Sequence, residues 1–231
     1  MARRLFSALI VAILAVTVFS LSSVSALACG DTVYTNTVLD SDMTCSSDRG
    51  LYVAPNVTLD CAGHSITGAG GAYGIDLVSN GATVKNCVVT KFSSGIGTWS
   101  NSSTIIGNTV TSNGIGISIF IGYNNILTNN NASNNNAGIY LASGNNNTIY
   151  NNIANNNRDG IVLTSSNNNA LMNNTANYNN NSWLAKALAK ASPSTTASIT
   201  FLQVTMPTTT ICMAFIYTHP PIIILILMIS L

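Results

Sequence analysis

The chain of 231 residues is only 6% charged, contains no Glu and carries a formal net charge of +1, where an average globular protein is roughly a quarter charged. Phosphate binding needs clustered Lys and Arg, so no nucleic-acid partner is expected. Seven Asp, two His and no Glu also leave few ways to build a hydrolytic or metal site, and neither a metal nor another cofactor is expected.

Residues 1–28 read as a signal peptide. Arg3 and Arg4 give a basic start, LFSALIVAILAVTVF is the apolar stretch, and Ala26-Leu27-Ala28 is the small-x-small pattern before a cleavage site. The mature chain would begin at Cys29, and an uncleaved anchor is the alternative.

A repeat follows. Gly50, Gly74, Gly95, Gly116, Gly138 and Gly160 recur in steps of 24, 21, 21, 22 and 22 residues. One residue after each stand Leu51, Ile75, Ile96, Ile117, Ile139 and Ile161; three after stand Val53, Leu77, Thr98, Ile119, Leu141 and Leu163. Residues two apart share a strand face, so these are two inward columns. The position between them, Tyr52, Asp76, Gly97, Ser118, Tyr140 and Val162, would face solvent. A second strand is marked by Leu59, Val84, Ile105, Ile126, Ile149 and Leu171, and a third by Val89, Val110, Ala132 and Ala154. Three short strands in about 22 residues describe one turn of a parallel β-helix, whose apolar face is buried only by stacking. The asparagines suit corners in left-handed backbone. Stacked in register, Asn108, Asn129, Asn152 and Asn174 would pass amide hydrogen bonds from coil to coil.

NVTLDCAGHSITG (56–68), ATVKNCVVTKFSSGIG (82–97) and the later NNN and GIYL phrases resemble the repeats of NosD-like proteins. The resemblance covers about residues 29–181. It implies an all-β, right-handed parallel β-helix, a solenoid of about six to seven coils. The fold carries lyases, hydrolases, adhesins and scaffolds, so it does not by itself name an activity. A copper-delivery role is not supported by the scattered His64, Met43 and Met172.

Cys29 and Cys45 bracket what would be the first coil, and Cys61 and Cys87 fall at similar places in neighbouring coils, where Cα atoms come within disulfide reach. Pairings of Cys29 with Cys45 and of Cys61 with Cys87 are predicted, with two buried free thiols as the alternative for the second. This usage fits an extracytoplasmic location, secreted or at the cell surface.

Asp60 and His64, four apart in LDCAGH, invite a general acid/base reading, against which stands their place in a structural repeat. For a paired-carboxylate site the chain offers Asp60 and Asp76 on neighbouring coils, a pairing that nothing in the spacing favours. A lyase of this fold would set Lys or Arg bases beside an acidic calcium site, and the chain shows only scattered Asp with Lys85 and Lys91; Arg158-Asp159 reads as a local ion pair. Tyr52, Tyr140 and Tyr150 among Asn, Ser and Thr suit stacking on sugar rings, which makes polysaccharide or cell-envelope glycan the expected partner. The expected function is a binding or structural module, with a polysaccharide-active enzyme as the alternative. Sequons occur at Asn56, Asn101, Asn131, Asn146, Asn173 and Asn180.

The pattern stops near residue 182. MAFIYTHPPIIILILMISL is near membrane-spanning length but is broken by His219, Pro220 and Pro221. Read one base out of frame, Thr208–Ile211 permits NNNN and Ala214–Ile224 permits GIYLYSSSNNN. Residues 182–231 are therefore an aberrant tail, either a frameshift product or a weak C-terminal anchor.

Overall fold

The computed structural model describes residues 27–46 and 49–180 with their side chains, and the backbone of three further strands between 198 and 230. Of the expected signal peptide, 1–28, all but the last two residues lie outside the described residues, as do 181–197 of the tail.

The described strands are parallel through the repeat and fall into three sheets. A seven-stranded sheet stacks β1 (Thr32–Val33), β4 (Arg49–Val53), β7 (Tyr73–Leu77), β10 (Ser94–Thr98), β13 (Ile115–Phe120), β15 (Ala137–Ala142) and β17 (Asp159–Thr164). A second sheet stacks β2 (Thr37–Val38), β5 (Thr58–Asp60), β8 (Thr83–Lys85), β11 (Thr104–Ile106), β14 (Ile126–Thr128), β16 (Thr148–Tyr150) and β18 (Ala170–Thr175). The third holds β3 (Met43–Thr44), β6 (Ser65–Thr67), β9 (Val88–Thr90) and β12 (Thr109–Thr111). Later coils keep this third side only as isolated bridges, Asn131 to Ile153 and Ile153 to Thr175. The result is the expected all-β parallel solenoid. The second sheet continues in the tail through β19 (Ser198–Met206), parallel to β18, then antiparallel β20 (Thr209–Thr218) and β21 (Ile222–Ser230).

Both inward columns of the seven-stranded sheet are buried along their whole length, from Leu51 and Val53 to Ile161 and Leu163. Val89, Val110, Ala132 and Ala154 face them from the third side. The glycine column has a steric cause. A Cβ on Gly116 would stand 2.6 Å from the Gly138 carbonyl oxygen, and one on Gly138 2.6 Å from that of Gly160. Each coil closes so tightly at this corner that the position admits no side chain.

Two register assignments differ from the sequence reading by one residue. Leu127, not Ile126, aligns with Ile105 and Ile149 and is fully buried, while Ile126 points to solvent. The coil has one more residue ahead of this strand than the coil before it, and a one-residue slip exchanges strand faces. Likewise Asn130, not Asn129, carries the ladder. Asn129 stands at the exposed corner beside it with φ 56°.

Three buried amide ladders run along the stack, all with one logic. Each side-chain oxygen accepts the backbone N–H of the coil before it, and from Asn108 to Asn174 each ladder Nδ2 donates to a backbone carbonyl further back. One ladder is Asn108, Asn130, Asn152 and Asn174; a second is Asn113, Asn135, Asn157 and Asn179; the third is Asn125, Asn147 and Asn169. The first begins at Cys87, whose N–H donates to Asn108 Oδ1, and the second at Phe92. The exposed corners next to them hold left-handed Asn124, Asn129, Asn134 and their repeats.

Cys29 pairs with Cys45 and Cys61 with Cys87, with Cα atoms 5.6 and 4.7 Å apart. Two disulfides mark an oxidising, extracytoplasmic environment. Among the described residues no helix is long and apolar enough to cross a membrane.

Candidate functional site

The outward face of the seven-stranded sheet gathers the chemistry. Each strand sends its glycine and the next residue inward, so the residue before the glycine and those two and four after it point out. This produces three outward columns. The first contains Arg49, Tyr73 and Ser94; the middle one Tyr52, Asp76, Gly97, Ser118 and Tyr140; the last Val78, Trp99 and Phe120.

At the N-terminal end of this face, Arg49 Nη1 donates to Asp76 Oδ2 at 2.7 Å. The guanidinium lies 5.3 Å from the ring centres of both Tyr52 and Tyr73, a cation–π setting. Tyr73 packs over Gly97, where a Cβ would stand 2.7 Å from its Cδ1. These neighbours cover Asp76, which is only 5% exposed although its position faces outward, and Asp76 Oδ1 is enclosed without a hydrogen-bond partner. The middle column was expected to face solvent throughout; instead Asp76 and Ser118 are covered by residues of the first column, Ser118 through a 2.9 Å hydrogen bond with Ser94.

Burial pushes the Asp76 carboxyl above the ordinary carboxylate value, and Arg49 offsets this only in part. A folded-state pKa above the unfolded one means that the group's stability contribution is present below pH 3.8 and is lost as pH rises through the folded value. Asp76→Asn is therefore expected to have a denaturation midpoint at pH 7 equal to or above the wild type's. As pH falls through the folded value towards 3, the wild type should gain on the variant. Urea titrations at the two pH values check this.

Further along the face, Trp99 stacks on Phe120 at 4.7 Å, and Phe120 meets Tyr140 at 5.9 Å. The three rings run across three consecutive coils, and Trp99 is 53% exposed. Beside them, Ile121 occupies an exposed corner at φ 58°, where the next coils carry Ser143 and Ser165. A β-branched residue in left-handed backbone is strained, so this corner keeps an apolar surface at a conformational cost.

The other sequence candidates are dispersed. Asp60 lies on the second sheet, paired with Lys85 at 3.0 Å, and also accepts from the Ala62 N–H and the Asn86 amide. These bonds, the Ala62 one above all, lower its pKa. His64 Nδ1 stands 3.3 Å from Asp42 Oδ1, so each member of the proposed Asp60–His64 dyad is engaged elsewhere. Asp60 and Asp76 sit on different sheets, the one paired with Lys85 and the other with Arg49. Lys91 occupies a corner at φ 64°, and Arg158 pairs locally with Asp159 at 2.9 Å. Tyr52 and Tyr140 share the seven-stranded face, but Tyr150 is on the second sheet. Among the described residues no group of three His, Cys, Asp or Glu side chains comes together.

Trp99, Phe120, Arg49 and Tyr73 were not singled out from sequence. The signal was available in the columns one before and four after the glycine, where Trp and Phe interrupt small and polar residues.

The sequence matches the family described as a right handed beta helix region over residues 31–198. The chain belongs to this right-handed β-helix family. Among solved structures, DFA-IIIase from Arthrobacter chlorophenolicus A6 in complex with GF2 is similar at 12% identity and a TM-score of 0.45, covering 62% of this chain and 49% of that one. The C387A mutant of the same enzyme in complex with DFA-III aligns at 12% identity and a TM-score of 0.43, covering 62% and 47%. This β-helix chain thus spans about half the length of those neighbours. No curated protein matches it.

Proposed function

We propose that this β-helix protein is an exported or cell-surface module that binds polysaccharide or cell-envelope glycan on the outward face of its seven-stranded sheet. The observation that carries the reading is the Trp99, Phe120 and Tyr140 stripe across three coils, on the same face as the Arg49–Asp76 ion pair and its flanking Tyr52 and Tyr73. Sugars have apolar C–H faces and polar edges, and a surface alternating rings with hydrogen-bonding groups answers both. Within the family, the NosD-like group is the proposed relation.

Trp99→Ala is expected to cut retention on an insoluble glycan by tenfold or more while leaving the thermal midpoint within a degree or two, because the side chain is half in solvent. Depletion assays on a polysaccharide panel, scored with melting curves, test it. Retention equal to the wild type's on every glycan that binds would refute the reading.

A second reading, glycan cleavage, draws on the burial of Asp76, which pushes its carboxyl up towards holding the proton that a general acid must carry. A glycosidase needs a second carboxylate about 5 to 9 Å away, and Asp159, at the far end of this face, is engaged by Arg158. Reducing-sugar release that Asp76→Asn abolishes would favour cleavage over binding.

A further inference from the structure

The enclosed, unpartnered Asp76 Oδ1 is the feature of this face that its own packing does not explain. A buried acceptor without a donor costs on the order of 1–3 kcal/mol, and more when charged. Among the described residues the two other buried side-chain oxygens without partners, Asn131 Oδ1 and Asn177 Oδ1, are neutral amides. Asp76 is an acid that gives one oxygen to Arg49 and has no donor for the other.

Building on the glycan-binding reading, we infer that Arg49 and Asp76 form a diol subsite selecting neutral, hydroxyl-rich glycans over uronate or sulfated ones. A carboxylate oxygen only accepts and a guanidinium only donates. A pair of adjacent sugar hydroxyls supplies both counterparts: one O–H donates to Asp76 Oδ1, and the neighbouring oxygen accepts from Arg49. Access requires a small movement. The Arg49 side chain is 37% exposed, and exposed side chains change rotamer in picoseconds to nanoseconds. In the proposed subsite a change of Arg49 rotamer opens the way to Oδ1, and the sugar's hydroxyl supplies the donor that the packing lacks.

Charge argues for a neutral ligand. Anionic polymers are held by an excess of cations. On the described face each cation is balanced, Arg49 by Asp76 and Arg158 by Asp159. A ligand carboxylate brought to Arg49 would also meet Asp76.

The test is depletion of the purified protein by an insoluble neutral β-glucan and by cross-linked polygalacturonate, at pH 7 and at steps down to pH 4. Wild type, Trp99→Ala, Asp76→Asn and Arg49→Gln are compared, each shown folded by its melting curve. Retention on the neutral polymer alone is expected, weakened about tenfold by Asp76→Asn, because hydrogen bonds to charged groups exceed neutral ones by about that factor. Wild-type retention should fall as acid protonates Asp76, while that of Asp76→Asn stays level. If Trp99→Ala binds as the wild type does, or the wild type binds neither polymer, the glycan-face reading itself fails. If Trp99→Ala loses binding but Asp76→Asn matches the wild type at every pH, only the diol subsite fails. Equal or stronger retention on polygalacturonate also overturns it.

Discussion

Asn130→Asp is expected to destabilise the solenoid by about 4 kcal/mol at neutral pH, the scale of an uncompensated buried charge. Asn130 is 1% exposed, and all four of its ladder contacts are defined. Its Oδ1 accepts from the Asn108 backbone N–H at 3.0 Å and from Asn108 Nδ2 at 2.9 Å. Its Nδ2 donates to the Ile105 carbonyl at 2.8 Å and to Asn152 Oδ1 at 2.9 Å. Aspartate keeps the two acceptor contacts and replaces both donor contacts with oxygen facing oxygen. Reorienting Asn152 does not repair this, because its oxygen also accepts the Asn130 backbone N–H. Domains are stable by only about 5–15 kcal/mol, so the variant should unfold far below the wild-type urea midpoint. The defect should shrink in acid, since protonation neutralises the carboxylate and restores one donor. Asn129→Asp, one residue away at an exposed left-handed corner, is the internal control and should change stability by less than about 0.5 kcal/mol. Comparable losses from both variants would show that the corner, not the ladder, holds the coils together.

That one-residue contrast also marks where sequence reading stops. The period, the inward columns and both disulfides were legible, because a stacked repeat writes the same burial constraint on every coil. The ladder's existence was legible in the asparagines, but not its position: in Asn129-Asn130 the chemistry of the two residues is identical, and only backbone direction separates corner from core. The slip from Leu127 to Ile126 has the same origin, since two adjacent aliphatics match the pattern and coil length decides between them. The glycines announced the phase without their cause, which is a contact with the next coil's backbone that no single strand displays. The outward face of the seven-stranded sheet was read only in its middle column. Asp76 looked like one of several scattered acids. Its burial depends on Arg49 and Tyr73, which come from two different coils and meet only when the sheet is assembled.

The disulfides should separate into a global and a local effect. Joining Cys61 to Cys87 closes 26 residues, which chain entropy values at about 3 kcal/mol. Its position makes that stabilisation felt by the whole stack. Both sulfurs are buried, and the Cys87 N–H is the first donor to the ladder beginning at Asn108. The covalent link thus stands where later coils use an amide, and its loss loosens the ladder's first rung. Cys61→Ala/Cys87→Ala should lower the global unfolding free energy by about 3 kcal/mol with little change in urea dependence. Cys29–Cys45 closes 16 residues, a comparable entropy by the same estimate, but it holds the end coil, whose strands β1, β2 and β3 have two residues each. In a solenoid each coil contacts only its neighbours, so an end coil can open alone. Cys29→Ala/Cys45→Ala should accelerate amide exchange in residues 27–46 while leaving the protection of Ile117, Ile139 and Ile161 nearly unchanged. If that variant instead lowers protection uniformly along the stack, the first coil is part of the cooperative unit, and the end of the solenoid is fixed by more than its disulfide.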